Sequence, residues 1–323
     1  MESGDYRKSD LVLEEDVSGE KCMKKIRIGT RKSRLACIQA EMLADYIETH
    51  CEGYQAELVK VMTTGDRILS KKLDEIGGKG LFVKELDAFL LEGQTDLSVH
   101  SLKDMPMEIS PKLPIIGFSK REDARDVLVL PEGKTEYDYS APIGCSSNRR
   151  ILQLKSIYPE AKVKTVRGNV LTRLEKLDSG EYGALVLAAA GLNRLGLNGR
   201  ISRYFTVEEM VPAAGQGILC VQGRAGEDYS FLQGFFDLEA EECAAAERAY
   251  VAYLNGGCSL PIGVYAEVLD ERWMRVRGLY YNEESGDYGK MCVSGHRSEA
   301  ADMGVSLAKE LRNSTVQKNR YGV

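Results

Sequence analysis

The sequence predicts an α/β protein of more than one domain that closes on a small α+β segment. Three observations lead there. Strand-like and helix-like segments alternate from residue 25 to residue 188, the order that builds sheets covered by helices on both faces. At 323 residues the chain exceeds what one small core needs, and two or three domains is the natural division. From Glu241 onward the rhythm changes to a long helix, two strand-like runs and a closing helix.

The elements follow in order. Lys25-Ile26-Arg27-Ile28 alternates as a strand does and ends at Gly29-Thr30-Arg31-Lys32-Ser33. Leu35, Ile38, Met42 and Tyr46 then recur at helical spacing, which puts Ser33 near a helix start. A strand is expected over Glu57–Met62, a helix over Leu81–Leu91 and a strand over Asp96–His100. Next come a helix over Ile151–Tyr158, a strand over Lys162–Val166, a helix over Val170–Leu177 and a strand over Ala184–Ala188. Such alternation implies parallel sheets, with ligands bound beyond the carboxyl ends of the strands. The closing part reads as a helix over Glu241–Leu254, strands over Gly263–Leu269 and Trp273–Tyr280, and a helix over Ser298–Leu311. Met1 to Lys24 mixes charged and small residues without periodicity and reads as a disordered extension.

Composition removes several function classes. No apolar run is long enough to span a bilayer. The first two dozen residues lack a signal's apolar stretch, and their acids argue against a mitochondrial presequence. The eight cysteines never fall closer than fourteen residues apart, and only His50, His100 and His296 could join them, so a zinc site is not supported. The net charge of −6 argues against broad nucleic-acid binding. The charge is uneven, however: Ala141 to Glu175 holds seven Lys or Arg against Glu160 and Glu175. A basic patch on an acidic chain suits a small polyanion.

Four groups could do chemistry. Cys258 follows Gly256-Gly257 and precedes Ser259-Leu260-Pro261, a setting that presents the thiol, or else a small residue at a crowded loop corner. Lys103 and Asp104 fall at a strand end, stopped by Pro106. A carboxylate there, among guanidiniums, stays ionised and can stabilise a cation, and the competing reading is a pair of solvated loop charges. His100 and Ser101 are sequence neighbours that point apart, which disfavours a Ser–His nucleophile.

Ser146-Ser147-Asn148-Arg149-Arg150 opens a helix with anion-binding donors. Its two arginines run against the helix dipole, for which a bound carboxylate is a sensible reason. Arg167-Gly168-Asn169, with Arg173 two turns on, repeats the arrangement, and guanidinium forks grip carboxylates at two points. Gly77-Gly78-Lys79-Gly80 lacks the spacing of a phosphate loop, and Thr64 to Gly80 reads as a long loop able to act as a lid. Gly215-Gln216-Gly217 reads as a bend where the chain changes domain.

Taken together these segments closely resemble the porphobilinogen deaminase (hydroxymethylbilane synthase) family. The resemblance is carried in order by Thr30–Ser33, Gly77–Glu85, His100–Pro106, Ser146–Arg150, Arg167–Asn169, Ala190–Gly196, Pro212–Gly217 and Gly256–Cys258. It implies two periplasmic-binding-protein-like lobes and a small C-terminal α+β domain. The expected division is an extension over 1–24, lobe 1 over 25–118 plus 213–236, lobe 2 over 119–212, and a cofactor-attachment domain over 237–323. It further implies a dipyrromethane cofactor held through a thioether on Cys258 and used as a primer. Four porphobilinogens are added to it, each losing ammonia, and hydrolysis then releases the linear tetrapyrrole.

By the same resemblance Asp104 is the catalytic anion beside the pyrrole nitrogens. Ser33, Lys103, Ser147, Arg149, Arg150, Arg167 and Arg173 hold the cofactor with Cys258. Arg31 and Arg194 bind the substrate, and Lys79 belongs to the flexible loop. Cys145 stands where a threonine is often found and is not assigned a contact. The expected partner is porphobilinogen alone, acting on a monomeric cytoplasmic chain with no nucleic acid and no membrane. A non-catalytic ligand-binding protein of the same two-lobed fold is the competing reading, and it would need neither Cys258 nor a lone aspartate in the cleft.

Overall fold

The computed structural model describes residues 23–63, 83–255 and 260–321, with side chains through Thr315. The calls on Met1 to Lys24 (apart from its last two residues), on the loop from Thr64 to Gly80 with Lys79, and on Cys258 lie outside the described residues.

The first sheet has five strands in the order β2-β1-β3-β10-β4. They are β1 (Lys24–Arg31), β2 (Tyr54–Val61), β3 (Leu97–Ser101), β4 (Ile115–Phe118) and β10 (Leu219–Gly223). Helix α1 (Arg34–His50) lies against this sheet, with Cys37, Ala40, Leu43 and Ile47 buried at helical spacing. Its partners in the core include Ile26, Ile28, Leu97, Val99, Leu219 and Val221. Helix α2 (Lys84–Leu91) buries Leu86 and Leu90.

The second sheet runs β7-β6-β8-β5-β9. It comprises β5 (Asp126–Val129), β6 (Ile143–Gly144), β7 (Val163–Lys164), β8 (Ala184–Ala188) and β9 (Arg203–Tyr204). Helices α3 (Asn148–Ile157), α4 (Val170–Asp178) and α5 (Ala189–Arg194) belong to this lobe. Apolar clusters around Leu154 and Phe205 and around Leu174 and Leu187 form its core.

The third unit is an antiparallel sheet of β11 (Gly263–Val268), β12 (Trp273–Tyr281) and β13 (Tyr288–His296). Helices α6 (Leu238–Tyr253) and α7 (Ala300–Tyr321) pack with it around Tyr250, Val264, Val276 and Leu307. The α/β class, with two sheet-bearing lobes and a small C-terminal α+β domain, is as expected.

The expectation of purely parallel sheets is corrected. β1 runs parallel to β2 and β3, but β10 is antiparallel to both β3 and β4. In the second sheet β5 is antiparallel to β8 and β9. The reason is connectivity. The chain leaves the first sheet at the end of β4, and both β5 and β10 start from crossing segments at that same end, so each runs back the other way.

Gly217 marks the return crossing. Its φ is +90°, and a Cβ there would lie 2.2 Å from the carbonyl oxygen of Glu122. The two crossing segments touch so closely that only glycine fits.

Candidate active site

Asp104 and Lys103 stand at the end of β3 on a single 3₁₀ turn, Leu102–Asp104. Leu102 is 1% exposed and pins the turn, its amide donating to the Ile218 carbonyl at 3.0 Å. The Asp104 carboxylate is exposed, while Lys103 is partly buried and donates to Gln216 Oε1 at 3.4 Å. Burial brings the Lys103 ammonium down to about 8. Asp104 and Asp126 favour its charge, and Arg150 and Arg149 oppose it.

In the second lobe the first turn of α3 carries Arg149 and Arg150, both buried. The carboxylate that holds them in this structure is the chain's own Asp126. Its Oδ2 accepts from Arg149 Nη1 at 2.7 Å, and its Oδ1 accepts from Arg150 Nη2 at 2.7 Å and Nε at 3.0 Å. Arg150 Nη1 donates to the Val186 carbonyl at 3.1 Å, so all three of its nitrogens are engaged inside the protein. Burial works against the Asp126 charge, but the two guanidiniums outweigh it and hold the carboxyl far below the usual range. Burial lowers Arg149 despite Asp126, whereas Arg150 ends above its ordinary value because Asp126 outweighs burial.

The neighbouring helix α4 is capped by Asn169, which accepts from the Thr172 amide at 3.0 Å. One turn in, Arg173 Nε donates to the Gly168 carbonyl at 2.8 Å. Burial lowers Arg173, and the charges of Arg150 and Arg167 lower it further, against Cys145 and Asp104. Lys103, Arg149, Arg150, Arg167 and Arg173 thus share one electrostatic neighbourhood with Asp104. In it five cations stand beside two carboxylates, Asp104 and Asp126.

The remaining calls are placed as follows. Ser33 is the N-cap of α1, its Oγ accepting from the Ala36 amide at 3.3 Å. The start of α1 faces lobe 2: a Cβ on Gly191 of α5 would meet Leu35 Cδ2 at 3.7 Å and Val170 Cγ2 at 3.9 Å. Ser147 is the N-cap residue of α3 without a side-chain cap bond. The Ser146 hydroxyl is turned inward, donating to the Val166 carbonyl at 2.5 Å. Arg31 ends β1 near His100, on whose imidazole its charge acts. Arg194 ends α5 and donates from Nη2 to the Gly217 carbonyl at 2.6 Å. Its buried Nε has no partner among the described residues.

A separate concavity of about 500 Å³ lies where Arg121–Arg125 meet Thr206–Glu208, Tyr265 and Glu267. None of the cleft cations named above lines it. Among the described residues no group of three His, Cys, Asp or Glu could hold a metal ion, and no described helix is long and apolar enough to cross a membrane.

Two family models cover most of the chain: "Porphobilinogen deaminase, dipyromethane cofactor binding domain" over residues 26–231 and "Porphobilinogen deaminase, C-terminal domain" over residues 241–313. The chain belongs to the porphobilinogen deaminase family. A porphobilinogen deaminase of Ruminiclostridium cellulolyticum is 53% identical over 291 residues, covering 90% of this chain and 99% of that protein. One from Acetivibrio thermocellus is 52% identical over 287 residues, covering 89% and 98%.

The donor set fits this family's dipyrromethane cofactor, whose pyrroles carry acetate and propionate groups. Several cations converge with few carboxylates among them, and the orphaned Arg194 Nε lies buried beside the crossing. In the porphobilinogen deaminase frame both lobes fall within the cofactor-binding match, while Cys258 falls within the C-terminal match.

Three features of the site went unread in the sequence: Asp126, Gln216 and the pair Arg121–Glu247. For Asp126 a signal exists. It opens the apolar run Val127-Leu128-Val129-Leu130, and a carboxylate starting a buried strand has to be paired. For the other two only spatial proximity tells.

Proposed function

We infer that this cleft carries out the hydroxymethylbilane synthase reaction, the stepwise head-to-tail condensation of four porphobilinogens with loss of ammonia, followed by hydrolytic release of the linear product. The observation that carries the reading is one exposed carboxylate, Asp104, set at a strand end where its charge acts on Lys103 and Arg173.

Each condensation forms a carbon–carbon bond at the aminomethyl carbon of porphobilinogen. It breaks that carbon's bond to nitrogen, releases ammonia, and removes one proton from the attacking pyrrole α-carbon. The dipyrromethane, when bound, supplies the first nucleophilic pyrrole α-carbon. Positive charge develops on pyrrole rings as ammonia leaves and as the new bond forms. Asp104 stands as the fixed anion that stabilises this charge and takes up the pyrrole protons.

Carboxylates of the cofactor fall to Lys103, Arg149, Arg167 and Arg173, with Arg150 braced beside them on Asp126 and hydroxyl donors from Ser33 and Ser147. Those of the incoming substrate fall to Arg31 and Arg194. A polyanion that lengthens with every turnover needs a surplus of guanidiniums, and the two helix starts supply it. The chain is read as a cytoplasmic monomer acting on a small molecule, which light scattering and cell fractionation check.

The test is intact mass spectrometry of the purified chain beside Cys258→Ser. Added mass equal to two linked pyrroles, lost in the variant, supports the cofactor, its anchor and the reaction class. An unmodified chain that also fails to take up pyrroles from porphobilinogen or preformed tetrapyrrole overturns the reading.

A further inference from the structure

We propose that Asp126 is the positioning residue of this cleft, a buried carboxylate that fixes Arg149 and Arg150 in lobe 2 and, through the amide of Gln216, orients Lys103 in lobe 1. The proposal deepens the functional reading and rests on it for the ligand. Its geometry stands on the hydrogen bonds of Asp126 and Gln216.

Asp126 is fully buried at the start of β5 and accepts four side-chain hydrogen bonds. Three come from the two arginines and the fourth from Gln216 Nε2 at 2.8 Å. Two adjacent guanidiniums in a dry wall repel each other, and a single carboxylate bridging them fixes both planes. Arg149 is held at one edge, Nη1 bonding both Asp126 and the Val211 carbonyl at 2.6 Å. Arg150 is held at every nitrogen. The two arginines therefore divide the work: Arg150 braces, and Arg149 keeps its Nε edge and Nη2 out of the Asp126 bonds.

Gln216 extends the arrangement across the crossing. It is 1% exposed, and its Nε2 also donates to the Ala124 carbonyl at 2.7 Å. Two acceptors on the nitrogen side leave one orientation for the amide, because a flip would set its oxygen against a carboxylate and a carbonyl. In that orientation Oε1 faces the Lys103 ammonium. The charged groups acting on Lys103 are Asp104, Asp126, Arg149 and Arg150. The Asp126 charge and the Gln216 oxygen both favour its ammonium form, so losing either makes Lys103 a stronger acid.

Competitive acetylation of the full chain as purified, across a pH series, reads the half-titration of Lys103 by peptide mass spectrometry. The natural chain is compared with Gln216→Met and Asp126→Asn. Both variants are expected to move the Lys103 half-titration down by about one pH unit, a tenfold change in acidity. The alkaline limb of kcat/KM should move with it. A folded Gln216→Met with an unmoved Lys103 and an unmoved pH profile, its loss confined to the thermal midpoint, overturns the proposal. Should Asp126→Asn fail to fold, Gln216→Met decides alone. A shifted Lys103 in a chain that never carries the two-pyrrole mass would sustain the relay and remove the functional reading. A loaded chain with unshifted Lys103 would do the reverse.

Discussion

Arg121 and Glu247 form an ion pair in which Nη2 of the guanidinium lies 2.7 Å from both oxygens of a fully buried carboxylate. The pair ties the outgoing lobe crossing to α6. Glu247 also accepts from the amides of Gly215 and Ala266, at 2.6 and 2.7 Å. Arg121 donates to the carbonyls of Gln216 and Ala266 at 3.1 and 2.8 Å. Both crossings and the C-terminal sheet therefore meet on one charge pair. Arg121→Gln leaves the Glu247 charge buried and uncompensated, and we expect it to cost about 3–5 kcal/mol of stability. Urea melts of the two proteins check this; a loss under about 1 kcal/mol would place the joint elsewhere.

Arg167 and Arg149 should respond differently to charge removal. Arg167 is partly exposed, so Arg167→Gln is expected to lower the melting point less than Arg149→Gln while lowering kcat/KM by roughly 10- to 1,000-fold. Arg149 also answers Asp126, so Arg149→Gln should lower both activity and stability. Steady-state kinetics beside thermal melts separate the two. Near-normal activity of either variant would count heavily against this pocket.

Asp104→Asn keeps the size of the side chain and removes the charge. If Asp104 answers charge that develops only during reaction, kcat falls about 100- to 1,000-fold and KM changes little. A rise in KM at constant kcat would instead assign Asp104 to ground-state binding.

His100 makes stability depend on pH. It is buried on β3 opposite Cys220, and its Nε2 has no partner among the described residues. Burial holds it neutral, lowering it from 6.5 to about 4 against the neighbouring Gln222 side chain, which favours the protonated form, with Arg31 lowering it further. A base whose folded value is depressed binds its proton more readily when unfolded. Its contribution is therefore present above 6.5 and is lost as the pH falls from 6.5 towards 4. Between pH 7.5 and pH 5 the loss is about 2 kcal/mol. Urea midpoints at those two pH values should converge by that amount in His100→Gln relative to the natural chain. An unchanged pH slope would show that His100 titrates normally.

Periodicity located most elements of the lobes within a few residues. The strand over Ala184–Ala188 matches β8, and the helix over Val170–Leu177 lacks only Asp178 of α4. The elements not predicted are β4, β5, β6, β9, β10, β13 and helix α5, and each is short, buried throughout or broken by glycine. β4 and β5 have four residues each and β9 has two, too few to show a period. β10 is buried on both faces, and β13 is interrupted by glycine at Gly289 and Gly295.

What the sequence determined by itself was local and chemical. Residue types at short spacing set the helix starts at Ser33 and Asn169, the strand-end turn that carries Lys103 and Asp104, and the arginine-rich character of lobe 2. The ordered motifs set the family. Tertiary structure alone decided which carboxylate answers which arginine. Asp126 meets Arg149 and Arg150 from 23 and 24 residues away, Gln216 from 90, and Arg121 meets Glu247 across 126. A buried charge has to be neutralised wherever the fold places it, and no local pattern records a partner that only the folded chain brings into hydrogen-bond reach.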